Sequence, residues 1–100
     1  MHSSKVTVKD IPDKASWAKL FEDLANREAL AAAQEIVDRF GMYLKYREVY
    51  GSHFLYQLRV SESRTPAKVK NLIREALKPL GWQVSYTWNS TTLTYDFTIR

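Results

Sequence analysis

Acid–base chemistry near neutral pH needs a histidine, or a carboxylate with a shifted pKa, held by an orienting partner. The chain offers two histidines, His2 and His53. His2 belongs to the terminus. His53 stands at the start of a run that reads as a strand, on its polar side, where a lone histidine is structural or solvent-exposed. The carboxylate pairs Glu22–Asp23 and Glu35/Asp38 fall on the outer side of a helical segment and read as solvating groups. No phosphate-cradling glycine loop, nucleophile elbow or paired-histidine spacing occurs. With no cysteine in the sequence, a disulfide framework and any thiolate-ligated metal are excluded. The expectation is a chain without catalytic residues, metal ligands, cofactor or small-molecule substrate.

Binding chemistry is better supplied. The first forty residues carry six Lys/Arg against seven Asp/Glu, and the remaining sixty carry nine against four. Such asymmetry points to a polyanion as one possible partner of the second half. On a strand reading of residues 42–60, alternation puts Tyr43, Lys45, Arg47, His53, Gln57 and Arg59 on one sheet face. There the cations would meet a nucleic-acid backbone and Tyr43 would stack on a base. Lys70, Arg74 and Lys78 follow at i, i+4, i+8 along a helix. The second candidate is apolar: Trp17, Leu20, Phe21 and Leu24 form a helical stripe of the kind that dominates protein interfaces. Trp88, beside a hairpin turn, is expected to project past the core and assist it.

These residues need elements to hold them. Lys5–Lys9 alternates, with Val6 and Val8 on one face, and reads as a first strand. The stretch Asp10-Ile11-Pro12-Asp13 then opens a helix over residues 14–40, rich in Ala, Leu, Glu and Lys, with Gly41 as its left-handed cap. Within it the Trp17–Leu24 stripe points roughly 180° away from a second stripe, Leu30, Ala33, Ile36, Val37 and Phe40. The conflict predicts either a break near Asn26, a good N-cap, or one stripe left for a partner. Residues 42–60 read as a hairpin turning at Gly51-Ser52, with Leu44, Tyr46 and Tyr50 inward on its first arm, Glu48 a misfit among them. Phe54, Tyr56, Leu58 and Val60 face inward on its second arm. Thr65-Pro66 starts a second amphipathic helix built on Val69, Leu72, Ile73, Ala76, Leu77 and Leu80. The last strands pair Trp82, Val84, Tyr86 and Trp88 with Leu93, Tyr95, Phe97 and Ile99 on one face, turning at Asn89-Ser90.

The order β-α-β-β-α-β-β predicts a single α+β domain over residues 1–100. Its form would be a ferredoxin-like split β-α-β-β-α-β antiparallel sheet with an extra C-terminal hairpin strand, helices on one face. No run approaches the ~20 apolar residues of a membrane span, and no signal-peptide pattern opens the chain, so a soluble cytoplasmic protein is expected.

An amphipathic helix ending in LKPLGWQVSYTW and a hairpin finishing LTYDFTIR, within residues 66–100, resemble small uncharacterised proteins of tailed bacteriophages. The resemblance implies a virion component or host-interaction factor acting by stoichiometric binding, and it carries no catalytic motif. The reading that follows is a small non-enzymatic protein that binds a protein partner, or itself, through Trp17, Leu20, Phe21, Leu24 and Trp88. The alternative is a nucleic-acid-binding domain using Tyr43, Lys45, Arg47, Arg59, Lys70, Arg74 and Lys78.

Overall fold

The computed structural model describes residues 6–47 and 53–100. Its dominant element is helix α1, Lys14–Lys45, 32 residues long. At 1.5 Å per residue it spans about 48 Å, far longer than the sheet it covers. Asp13 caps its start in an extended conformation, its carboxylate accepting from the Ser16 amide at 3.2 Å. The helix does not break at Asn26, and Gly41 does not end it. Asn26 points its side chain outward to another element and so does not turn back to cap. Helix beyond Gly41 keeps Tyr43 on Phe40, ring centroids 6.2 Å apart, and on Phe54 at 5.7 Å. The left-handed cap falls elsewhere in the chain, at Gly81, where φ is 90°.

That extension removes an expected strand. Residues 42–45, read as the first arm of a hairpin, are the last turn of α1, and Leu44 and Tyr46 are exposed, not inward. Glu48, Tyr50 and the Gly51-Ser52 turn lie outside the described residues, as do His2 and Lys5. Val6–Lys9 is not a strand either: it lies in no sheet, and Val6 and Val8 are exposed.

Three strands are present among the described residues. β1, Leu55–Arg59, and β2, Val84–Asn89, each pair antiparallel with β3, Thr94–Ile99, in the order β1-β3-β2. The architecture is α+β with a three-stranded antiparallel sheet, in place of the five-stranded split arrangement. Helix α2, Pro66–Leu77, links β1 to β2 and runs on into a single 3₁₀ turn, Lys78–Leu80. Pro66 occupies the first helical turn as anticipated, but Thr65 makes no side-chain cap; its amide instead donates to the buried Ser63 hydroxyl at 3.3 Å.

Register explains the core. Tyr56 opposes Phe97, which opposes Tyr86; Leu58 opposes Tyr95, which opposes Trp88; Ile99 opposes Val84. Because side chains alternate between faces, this aromatic row lies on the helix-covered side. Phe97, Leu58, Ile36, Val69 and Ile73 are fully buried at its centre, each worth about 1.5–3 kcal/mol. On α1 the buried positions are Ala25, Ala29, Ala32, Ala33, Ile36 and Phe40. Four of those six are alanines, whose small side chains let α2 approach closely. Leu30 and Leu80, both placed inward by periodicity, are exposed, and Val60 lies beyond the end of β1, exposed in the following turn.

The two helices run side by side in the same direction. Near the start of α2, Lys68 Nζ donates to Asn26 Oδ1 at 2.7 Å, and just past its end Trp82 meets Phe40 edge-on at 4.9 Å. Residues 14–24 of α1 therefore extend beyond the body as an arm, in a molecule 74 Å long and 31 Å across.

Candidate interaction surface

Every residue from Val6 to Leu24 is exposed, and Ala25 is the first buried position on α1. Within the arm, Trp17, Leu20, Phe21 and Leu24 retain 54%, 60%, 38% and 45% of their surface in water. The i, i+4 spacing lets Trp17 stack on Phe21, centroids 5.3 Å apart and planes 22° from parallel, a contact that stiffens the helix by a few tenths of a kcal/mol at most. Such stacking leaves one broad face of aromatic and aliphatic carbon turned outward.

The direction of that face follows from the helical period. With 3.6 residues per turn, the centre of the stripe lies roughly 120° around α1 from the buried alanine face. The expected 180° arose from counting Leu30 and Val37 inward and overlooking Ala25, Ala29 and Ala32. On the same side of α1 as the stripe, farther along, stand Glu35, Arg39 and Met42. Arg39 Nε pairs with Glu35 Oε1 at 2.9 Å, and Arg39 and Met42 line an open cleft of about 420 Å³ with Phe54, Leu55 and Tyr56. Burial first, then the Glu62 and Glu35 carboxylates, push the Tyr56 phenol above its ordinary pKa. The stripe and the open edge of β1 thus share one flank of the molecule.

Trp88 is elsewhere. It sits on β2, the opposite edge strand, half-exposed with its ring 4.9 Å from Tyr95. The hairpin end beside it is a four-residue loop, Ser90–Leu93, organised by Asn89: its Oδ1 accepts from the amides of Thr91 and Thr92 at 3.0 and 3.3 Å, while its Nδ2 donates to Asp96 at 2.9 Å. Trp88 therefore does not join the stripe.

The basic sheet face does not form. Tyr43 and Lys45 are on α1, Tyr43 half-buried against Phe40 and Phe54, and Lys45 Nζ lies 5.3 Å over the Tyr46 ring. Arg47 follows the helix. Of these residues only Gln57 and Arg59 lie on the outer face of the sheet, with Leu55 and among Ser85, Thr87, Asn89, Thr94, Asp96 and Thr98, a largely polar surface tied by Ser85–Thr98 and Thr94–Asp96 bonds at 2.9 and 2.7 Å. Lys70 and Arg74 lie along α2, Lys70 half-buried, and Lys78 opens the 3₁₀ turn that follows it. His53 lines the cleft near Tyr43 and Arg39, and the described lining includes no carboxylate to orient its imidazole. Among the described residues no three acidic or histidine side chains gather as a metal would require, and no helix is long and apolar enough to cross a membrane.

Compared with family models, curated proteins and solved structures, the chain matches none of them. The projecting arm is what the geometry itself singles out. Sequence reasoning found its four residues. It missed Val6, Val8 and Ile11, which it assigned to a strand or to the helix entry and which extend the exposed apolar surface N-terminally. An exposed Ile11 between Asp10 and Pro12 was the available signal, since no apolar neighbour within the entry could cover it.

Proposed function

We propose that this protein acts by stoichiometric binding, docking another protein surface on the apolar side of the α1 arm, with Trp17, Leu20, Phe21 and Leu24 as the anchors. The single observation carrying this reading is that α1 stays unbroken past Asn26, so its N-terminal stripe has no core to serve. An isolated helix of eleven residues is marginal in water, and one exposing two aromatics and two leucines gains most from a partner that covers them. The phage-protein resemblance of residues 66–100 implies the same mode of action, binding without catalysis.

Substitution separates binding surface from core. At protein concentrations low enough to leave the arm uncovered, Leu20→Glu and Phe21→Glu are expected to keep the cooperative thermal transition within about 2 °C of the wild type, as befits exposed positions, while abolishing binding through the arm at both low and high salt. A variant that unfolds would make the stripe part of the core and sink the reading. Binding that collapses steeply with salt would instead indicate a polyanion partner.

A further inference from the structure

We propose that the occupant of the arm is a second copy of this chain, paired antiparallel about a twofold axis between Leu20 and Phe21. The inference rests on the arm being a binding surface, and goes beyond it in naming both partner and register.

The stripe is self-complementary about that axis. Antiparallel pairing sets Trp17 of one copy against Leu24 of the other, and brings the two Leu20 side chains together on one flank of the axis and the two Phe21 rings together on the other. An isologous contact of this kind closes on itself and needs no second surface.

The charged residues bordering the stripe fit the same arrangement. By helical period, Lys14 and Glu28 border one flank, and Asp13 and Arg27 the other. When two helices pack antiparallel, like flanks face each other. Lys14 of one copy then stands within one residue's rise, about 1.5 Å along the axis, of Glu28 of the other. Asp13 stands equally close to Arg27. Twofold symmetry repeats both contacts, giving four opposite-charge meetings across the pair. A parallel pair would face unlike flanks, Lys14 to Asp13 and Glu28 to Arg27, so the charges favour self-pairing in either direction, and it is Trp17 meeting Leu24, in place of a second Trp17, that favours the antiparallel one.

The area is of the right size. Trp17, Leu20, Phe21 and Leu24 together with Val6, Val8 and Ile11 leave on the order of 700 Å² of side chain uncovered in one copy, against the ~800 Å² per partner of a standard interface. The helical stripe alone would supply about half of this. Antiparallel pairing brings in the remainder, because position 12 of one chain lies opposite position 29 of the other. Val6, Val8 and Ile11 thus run alongside the body of the second copy, on the flank where β1 presents its open edge.

The absence of native cysteine makes the register directly readable. In antiparallel dimers, Leu20→Cys copies should join each other on mild oxidation, since they lie beside the axis. Lys14→Cys should join Glu28→Cys in a mixture through a short bis-maleimide, while Lys14→Cys alone should not join itself. Wild-type protein should show twice the 11.7 kDa chain mass in light scattering at micromolar concentration, and Leu20→Glu the single mass. Lys14→Glu should weaken association about tenfold by turning two attractions into repulsions, and Lys14→Glu/Glu28→Lys should recover it by restoring both pairs. A folded wild-type monomer at the highest soluble concentration would overturn self-pairing while leaving the arm a surface for another protein. Self-joining of Trp17→Cys and of Leu24→Cys with no Lys14–Glu28 product would overturn the antiparallel register. If Leu20→Glu is unfolded, the binding reading itself falls; a dimer that persists in a folded Leu20→Glu would place the contact elsewhere and overturn this proposal alone.

Discussion

Lys68 Nζ donates to Asn26 Oδ1 at 2.7 Å, across forty-two residues of sequence, and this bond marks where α1 leaves the body. Asn26 looks like an N-cap in the sequence, yet its side chain is spent on α2 while its backbone continues the helix. Beyond it toward the N-terminus the described residues form no second helix and no sheet, only the arm.

Replacing Asn26 by alanine distinguishes the two roles. Asparagine is among the poorer helix formers and alanine the best, so the gain in propensity offsets the loss of one exposed bond. Asn26→Ala should shift unfolding free energy by no more than about 0.5 kcal/mol, measured by denaturant titration. An N-cap at this position would cost about 1 kcal/mol or more, so a loss of that size would mean α1 breaks there in solution.

The two stripes of α1 should respond to truncation very differently. Ile36 is wholly buried between the sheet and α2, and Ile36→Ala should cost about 2–5 kcal/mol. Leu20→Ala, on the arm, should fall within about 0.5 kcal/mol in the monomer, because it leaves no cavity. Denaturant titration at low protein concentration checks both. Equal losses at the two positions would show that the arm folds back onto the body.

The helix-facing side of β2 and β3 was legible because strict alternation over Trp82–Trp88 and Tyr95–Ile99 admits one register when one face is buried. The second helix was equally readable from Val69, Ile73 and Leu77. What misled was the stretch after Phe40. MYLKYR alternates like a strand, but Tyr43 also lies three residues from Phe40, and the ring contacts with Phe40 and Phe54 favour helix. A glycine at position 41 suggested a cap, but glycine is only permissive, and its helical conformation costs about 1 kcal/mol that such packing readily offsets. Periodicity also gave alanine too little weight. Ala25, Ala29 and Ala32 define the buried face of α1, and without them the face appears rotated toward Leu30. The exposed arm was visible only as a conflict of phase, since nothing in one chain reveals which of two apolar stripes a sheet will choose.

Leu93 carries a second lesson in register and a test of it. Placed inward by alternation, it ends the Ser90–Leu93 loop with φ 57° and 63% of its surface exposed. A leucine in the left-handed region pays about 1–2 kcal/mol that glycine avoids, while glycine loses part of that advantage to unfolded-state entropy. Leu93→Gly should therefore stabilise the protein by about 0.5–1 kcal/mol, read as a raised midpoint of thermal or denaturant unfolding. Destabilisation would mean that Leu93 packs inward against the sheet.

Asp13 sets the pH response of the arm. Hydrogen bonds from Ser16, its side chain first and then its amide, hold the Asp13 carboxyl below its ordinary pKa. A depressed carboxyl contributes stability above the pKa of the unfolded chain, and the contribution disappears as pH falls through the folded value. The first turn of α1 should accordingly fray below about pH 4, seen as rising hydrogen-exchange rates, corrected for the intrinsic pH dependence, at the Ser16 and Trp17 amides, with the body unaffected over the same range. Asp13→Asn supplies the check, because asparagine caps a helix about as well as aspartate and does not titrate. In that variant the same amides should keep their protection as the pH falls. If they lose it as the wild type does, the acid response belongs to another group. In a paired arm the same protonation also removes the charge facing Arg27 of the second copy, so dissociation and fraying should set in together in the wild type, and Asp13→Asn should be the weaker dimer at neutral pH.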